Sequence, residues 1–248
     1  MIVFDEGDVH RVITQPDHAR FAGELVALWR DHGMPDHPRR DDLLFAVREH
    51  DNGWREADAA PSWNATAGRP HDFLSMPDER RREIWRRGTL RFAAVRPYAA
   101  LLVTLHGLAL ATAYGEPSAE LVAELEERAD ELAEACGARR TEAADDYRIL
   151  AFADAASLVV ANRWTDAIEQ PAPGWMAIEG GTLRGRFEVA TETLYLDPFP
   201  LAGATRFALP VRRIPKRPYA GDADLGGTLA AARWESLAVR VSPPGIPG

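Results

Sequence analysis

Apolar residues recur at helical spacing from residue 14 to about residue 162. Phe21, Leu25 and Trp29 lie four residues apart, so they share one face of a predicted helix between residues 14 and 30. Thr14 is predicted to cap this helix, because its side chain can accept a hydrogen bond from the first turn. Comparable apolar stripes, rows of apolar residues that share one helix face, predict further helices near residues 42–51, 78–95, 97–114, 118–136 and 142–162.

Towards both ends of the chain the pattern changes to alternation. Residues 1–13 predict one or two short strands, and residues 187–196, 205–214 and 234–242 predict more. Residues 55–77 predict a long loop, which in a compact domain often covers a functional site. We therefore expect an α+β fold, a mostly helical bundle followed by a small antiparallel β-rich C-terminal region. Residues 14–165 would form the helical domain, with residues 1–13 and 170–248 as a β-rich subdomain packed on it.

Composition narrows the classes of function. The 248 residues are 46% hydrophobic, carry a formal net charge of −9 and include one cysteine. Such a chain forms no internal disulfide and lacks the basic surface that nucleic acid or anionic lipid requires. It has neither a bilayer-spanning apolar run nor a signal peptide pattern, so we expect a soluble cytoplasmic protein. A small anionic substrate is still compatible, because a metal ion or a local arginine can dominate the field of a pocket.

Four of the apolar stripes carry a potential metal ligand. They are His18, the pair His50-Asp51, His106 and Asp154. A single buried histidine is more often hydrogen-bonded in the core, but several ionisable groups that face one core need partners or a metal. Mixed imidazole and carboxylate ligands suit a divalent transition metal, Mn²⁺, Fe²⁺, Zn²⁺, Ni²⁺ or Co²⁺. The sequence predicts one or two such ions.

Weaker candidates follow the His-Asp pair along the chain. Trp54 is predicted either to wall the pocket or to pack in the core, with equal weight. Glu56 or Asp58 would act as a base or would orient a ligand. Arg69 is a candidate for holding a phosphate in two hydrogen bonds, although a surface position is the commoner explanation in an arginine-rich chain.

The remaining charged segments predict solvated surface. The basic run 79–87 is predicted to form a solvated helix face, with Ile84 and Trp85 turned inward. The helix over residues 120–135 is amphipathic, and its surface is a candidate for a homodimer contact. Three histidines in strand or loop context are predicted to be solvated: His10, His32 and His37.

The order histidine, His-Asp pair, aspartate on successive helices resembles the HD-domain superfamily of metal-dependent phosphohydrolases. The resemblance implies an HD-like helical domain that uses a metal-bound water to hydrolyse a phosphate ester or nucleotide-like small molecule. It assigns the metal to His18, His50, Asp51 and Asp154. His106 resembles the additional histidines of HD proteins that hold two metals, and His71 would be another.

Longer segments resemble an uncharacterised bacterial family, domain of unknown function 3891. They are QPDHARFAGEL, HDNGWREAD, AGRPHDF, LLVTLHG and FADAASL. This resemblance covers most of the chain and implies kinship to HD domains without an activity.

Three hypotheses about the function follow from these resemblances. The leading one is an HD-type hydrolase in which His106 binds a second metal or orients the leaving group. The others are a two-iron oxygenase that adds His71 and His106, and a non-enzymatic protein whose β-rich tail binds a ligand or partner.

Overall fold

The helices follow the predicted stripes. The computed structural model describes residues 1–113 and 118–244. Within them lie α1 Gln15–Ala27, α2 Arg40–Glu49, α3 Arg55–Ala59, α4 Asp78–Leu90, α5 Pro97–Ala113, α6 Ala119–Ala135, α7 Arg140–Asn162 and α8 Asp222–Ala231. A 3₁₀ turn, Asn52–Trp54, joins α2 to α3. The cap predicted for α1 is confirmed, because the Thr14 hydroxyl accepts the backbone N–H of Asp17 at 3.1 Å. The short helices α3 and α8 have no counterpart among the predicted elements, and α3 lies in the segment 55–77 that was predicted to be a loop.

Strands from both ends of the chain share one sheet. The strands are β1 Ile2–Glu6, β2 Val9–Ile13, β3 Trp63–Asn64, β4 Arg69–Pro70, β5 Ile168–Pro171, β6 Thr182–Glu188, β7 Thr193–Asp197, β8 Thr205–Pro215 and β9 Trp234–Ser242. Seven of them form a sheet in the order β1-β2-β8-β9-β7-β6-β5, and β3 pairs with β4 separately. Within the seven-stranded sheet, β7 and β9 run parallel, and the other neighbours are antiparallel.

The predicted fold class is wrong. Of the residues that the structure describes, 48% are helical, and the curled seven-stranded sheet takes strands from the N- and C-terminal parts. It is therefore not a helical bundle with a small antiparallel β-rich C-terminal region. The sequence did not predict strand β6. Gly185 occupies a buried position between Leu183 and Phe187, and it interrupts the alternation of apolar and polar residues. A side chain there would press on Ile168, whose Cδ1 lies 3.2 Å from the place of a Cβ. The division into residues 14–165 and a β-rich remainder stays a prediction.

The sheet packs against one side of the helices. Phe21 on α1 meets Phe207 on β8 edge to face, with ring centroids 5.5 Å apart. Both belong to a hydrophobic cluster that also contains Phe152 of α7 and residues of α2 and α5. The helix α6 covers α5 with its own apolar face, formed by Leu121, Leu125, Ala129 and Leu132. None of the helices within 1–113 and 118–244 combines the length and apolar character that crossing a membrane needs.

Candidate metal centre

Four helices bring five potential ligands to one buried point. His18 lies in the first turns of α1, His50 ends α2, and Asp51 begins the 3₁₀ turn. His106 comes from α5 and Asp154 from α7. Each of the five residues is at most 9% exposed. They form two ligand groups, one of His18, His50 and Asp51 and one of His50, His106 and Asp154, and within each group the ligand atoms lie within 4.8 Å of one another.

Outward hydrogen bonds orient two of the imidazole rings. The Nδ1 atom of His50 donates to the Val47 carbonyl at 2.7 Å. The Nδ1 atom of His18 lies 2.7 Å from the Ser157 hydroxyl, which itself donates to the Asp154 carbonyl at 2.8 Å. Since that hydroxyl has one hydrogen, it accepts from His18. Both rings therefore hold a proton on Nδ1 and present Nε2 to the centre, as metal-binding histidines commonly do.

The inward nitrogens meet carboxylates. His18 Nε2 lies 2.7 Å from Asp51 Oδ2. His50 Nε2 lies 3.2 Å from Asp154 Oδ1, but the pair lacks the alignment of a hydrogen bond. This nitrogen is sealed from solvent and has no hydrogen-bond partner among the described residues. A buried polar atom of this kind normally has a partner, so the donor set fits a cation bound between the imidazoles and the carboxylates.

His106 completes the second ligand group. Its ring stands nearly perpendicular to that of His50, with centroids 5.0 Å apart. Its Nδ1 atom lies 3.3 Å from the Tyr147 hydroxyl, and its Nε2 atom lies 3.9 Å from Asp154 Oδ2. Burial lowers the pKa of His106 to about 4. The imidazole is therefore neutral near pH 7, which is the form that binds a metal.

The carboxylates make the centre attractive to positive charge. Burial lowers the pKa of His50, but the charges of Asp51 and Asp154 outweigh it and raise that pKa to about 9. Burial likewise raises the pKa of Asp154, yet its contact with His50 and the charges of the neighbouring histidines hold this pKa well below its ordinary value. Without a metal, the centre therefore retains a proton on His50, and a metal cation would replace that proton.

A pocket opens over the centre. Its enclosed volume is about 50 Å³. Three of the ligands reach it, namely Asp51, His106 and Asp154, and Trp54 forms part of its wall while being only 3% exposed. The other residues that line it are Gln15, Phe73, Leu74, Arg81, Trp85, Leu110 and Leu158. The wall is mostly apolar, with few polar groups, as in small-molecule sites.

Two predicted site residues lie apart from the ligand groups. His71 belongs to neither group, and its Nδ1 atom donates to the Ser75 carbonyl at 2.9 Å. Arg69 does not line the pocket, because its guanidinium donates to the Val3 carbonyl at 2.7 Å and so ties the loop to β1. Both side chains are engaged in holding the irregular segment between α3 and α4.

The two predicted bases also have other partners. Asp58 is buried, and it accepts hydrogen bonds from the Met1 amine and, at 2.6 Å, from the Gln15 backbone N–H. Burial raises its pKa, against the opposing effect of the amine. Glu56 lies on the surface, where a hydrogen bond from Arg91 is the main reason that its pKa falls to about 2. Neither carboxylate lines the pocket over the metal ligands.

Four polar residues of the site were not predicted from the sequence, although all four lie at helical spacing from a predicted residue. Ser157 lies three residues after Asp154, and Gln15 lies three before His18, so each shares a face with a ligand. Arg81 lies four residues before Trp85, one of the two residues of α4 that were predicted to face inward. The fourth is Tyr147, which contacts His106 from α7 and lies seven residues, or two helical turns, before Asp154.

The structure corrects the prediction that His10 and His37 are exposed to solvent. The imidazole of His10 is 1% exposed and lies 2.7 Å from Asp5, and that of His37 is 8% exposed and lies 3.1 Å from Asp146. Both imidazoles are largely covered and pair with a carboxylate outside the two ligand groups. Pairing of a buried histidine with a carboxylate therefore also occurs away from the metal centre. Among the described residues, three imidazoles converge only at the centre.

Comparisons with known proteins give one match. No curated protein and no solved structure matches the sequence. A protein-family model described as a protein of unknown function, DUF3891, matches residues 1–216. The match runs from before β1 to just beyond β8 and includes every residue of both ligand groups. Since it covers well over half of the sequence, the chain belongs to the DUF3891 family.

Proposed function

We propose that this protein is a metal-dependent hydrolase of the HD type that cleaves a phosphate ester. The observation that carries the proposal is the convergence of imidazole Nε2 atoms on two buried carboxylates, with the Nδ1 atoms held outward. The residues that would hold a divalent transition metal are His18, His50, Asp51 and Asp154. When bound, such a metal lowers the pKa of a coordinated water and polarises a phosphoryl oxygen.

The surrounding residues support this chemistry in distinct ways. Ser157 and the Val47 carbonyl keep the rings of His18 and His50 in the orientation that ligation needs. His106 is neutral, so its Nε2 atom can hydrogen-bond the leaving oxygen or serve as a ligand to a second ion. The apolar walls, including Trp54, exclude water and strengthen electrostatic interactions within the pocket.

Metal content tests the proposal directly. The protein is purified without a histidine tag, loaded with Mn²⁺, Fe²⁺ or Zn²⁺, and desalted. We expect at least one ion per chain in the parent protein, and a loss of about tenfold or more in affinity for His50→Gln and for Asp154→Asn. Metal-dependent release of phosphate from p-nitrophenyl phosphate is the accompanying activity assay.

The matched control is His37→Gln, which removes a buried imidazole that faces a carboxylate outside the ligand groups. We expect this variant to bind metal like the parent protein. The proposal fails if the parent binds no metal, or if His37→Gln lowers the affinity as much as His50→Gln does. Circular dichroism of each variant checks that the fold is retained.

A two-iron oxygenase is a second candidate, because His50 is shared by two overlapping ligand groups. About two irons per chain and oxygen consumption would favour it, and a single colourless metal would reject it. His71, which that hypothesis adds to the ligand set, belongs to neither group.

A further inference from the structure

Arg81 places a fixed positive charge at the pocket. Among the described residues that line it, Arg81 is the only arginine or lysine. Its side chain is 14% exposed, and its Nη2 atom donates to the Met76 carbonyl at 2.8 Å. Its nearest carboxylate, on Asp78, is 3.3 Å away and 66% exposed, so water weakens that ion pair. The buried Nε atom has no hydrogen-bond partner among the described residues.

Gln15 adds a second polar group that lacks a partner. It lies one helical turn before His18 and lines the pocket together with Asp51. The residue is 3% exposed, and its side-chain oxygen is sealed and without a hydrogen bond to any described residue. Buried amides normally have their hydrogen bonds satisfied, and an amide can present either its oxygen or its N–H by rotation. Gln15 therefore retains unused hydrogen-bonding capacity at the wall of the pocket.

The rest of the wall is apolar. Trp54, Phe73 and Trp85 supply aromatic surface, and Leu74, Leu110 and Leu158 supply aliphatic surface. Apart from Gln15 and the indole N–H of Trp85, which has no hydrogen-bond partner among the described residues, this part of the wall offers no side chain that would recognise the hydroxyls of a sugar or the edge of a base. The enclosed space is only about 50 Å³, so the pocket admits a compact group.

We propose that Gln15 and Arg81 anchor the anionic end of a small phosphate monoester whose organic group is compact and apolar and packs on Trp54, Phe73 and Trp85. This substrate class rests on the proposed function, because the phosphate lies beside the metal ligands. Arg81 offsets the negative charges of Asp51 and Asp154, which would otherwise repel the phosphate.

Two phosphonates that are not hydrolysed test the proposal on the full-length protein loaded with Mn²⁺. Phenylphosphonate and 2-hydroxyethylphosphonate share one anionic head group and differ in the polarity of the organic group. Calorimetry measures their binding, and a change in intrinsic fluorescence, to which Trp54 and Trp85 contribute among the seven tryptophans, accompanies occupancy of the pocket. We expect phenylphosphonate to bind about tenfold more tightly, because its ring covers apolar wall.

Variants test the two anchors. We expect Arg81→Gln to weaken phenylphosphonate binding by about tenfold or more, Arg81→Lys to weaken it less, and Gln15→Met to weaken it about threefold or more. The matched control is Arg80→Gln, which removes the same charge from an exposed position one residue earlier on α4. This control should leave the affinity within about twofold of the parent value.

Equal affinity for the two phosphonates would overturn the proposed preference for an apolar organic group. This comparison uses the unmodified protein, so it does not depend on the folding of a variant. An equal loss in Arg80→Gln and Arg81→Gln overturns the anchor. These outcomes are separable from the metal test. If the parent protein binds no metal, the proposed hydrolase fails, whereas phenylphosphonate binding that depends on Arg81 and not on Arg80 would still support the anchor.

Discussion

Gly53 allows the turn that carries the metal ligands to touch α4. A Cβ atom at this position would lie 2.1 Å from the Ile84 carbonyl oxygen and 3.0 Å from the Gly88 nitrogen. Both neighbours are backbone atoms, so no side chain can rotate away. The adjacent Asn52 side chain donates to the Gly88 carbonyl at 3.1 Å, which holds the turn and the helix together. The variant Gly53→Ala must therefore push α4 away from the turn by about 1 Å to restore normal contact distances.

The cost of this displacement follows from the geometry. Inserting an atom into a packed interior costs about 1–3 kcal/mol, and contact with rigid backbone places Gly53→Ala at the upper end. A loss of about 3 kcal/mol lowers the melting temperature of a chain of this length by roughly 6–12 °C. Because Gly53 follows Asp51 by two residues, the same shift also misplaces Asp51 and His50. We expect the metal affinity to fall about tenfold or more.

Gly88→Ala is the matched control, because Gly88 faces Gly53 across the same contact. Its added Cβ would have its nearest neighbour, the Gly53 nitrogen, at 3.6 Å, which is an ordinary contact. Alanine within a helix is favoured over glycine, so this variant should gain about 0.5–1 kcal/mol. Urea unfolding and calorimetric metal titration measure both effects. The reasoning is refuted if Gly53→Ala keeps the urea midpoint and the metal affinity of the parent protein.

Two further predictions concern the ligands. Removing the hydroxyl in Ser157→Ala deprives His18 Nδ1 of its acceptor, so metal affinity should fall about 10- to 100-fold in a calorimetric titration. An affinity within twofold of the parent would contradict the role of Ser157. The second concerns pH. Because the pKa of His50 is raised to about 9, a metal must displace its proton at lower pH, and affinity should rise about tenfold per pH unit from 6.5 to 8.5. A flat profile over this range would argue against His50 as a ligand.

Local periodicity made the helices and the inward positions of the candidate ligands predictable. A ligand that extends an apolar stripe, as His18 and Asp154 do, must face the same core as that stripe. The identity of the bound metal and the reaction stay predictions. His10 and His37 show the limit of this reasoning, because strand and loop context did not reveal that tertiary contacts bury both.

The role of Gly53 shows a different limit. In the sequence, Asn52-Gly53 is a helix stop at the end of α2, whereas in the structure Gly53 also permits close contact with α4. The residues next to a glycine in the sequence do not reveal which distant segment will pack against it. The same holds for Arg81. Its place in a basic run predicted an exposed position, but α4 lies close to the ligands and so Arg81 lines the pocket.

By itself, the sequence determined six of the eight described helices, the cap of α1 and the faces on which His18, His50, Asp51, His106 and Asp154 lie. These depend on contacts between residues near in the chain, which spacing and side-chain chemistry reveal. Only the tertiary structure decided the sheet, the shared position of His50 in two ligand groups and the polar anchors of the pocket. These depend on pairings such as that of β2 with β8, whose partners lie about two hundred residues apart and are chosen by the packing of the whole chain.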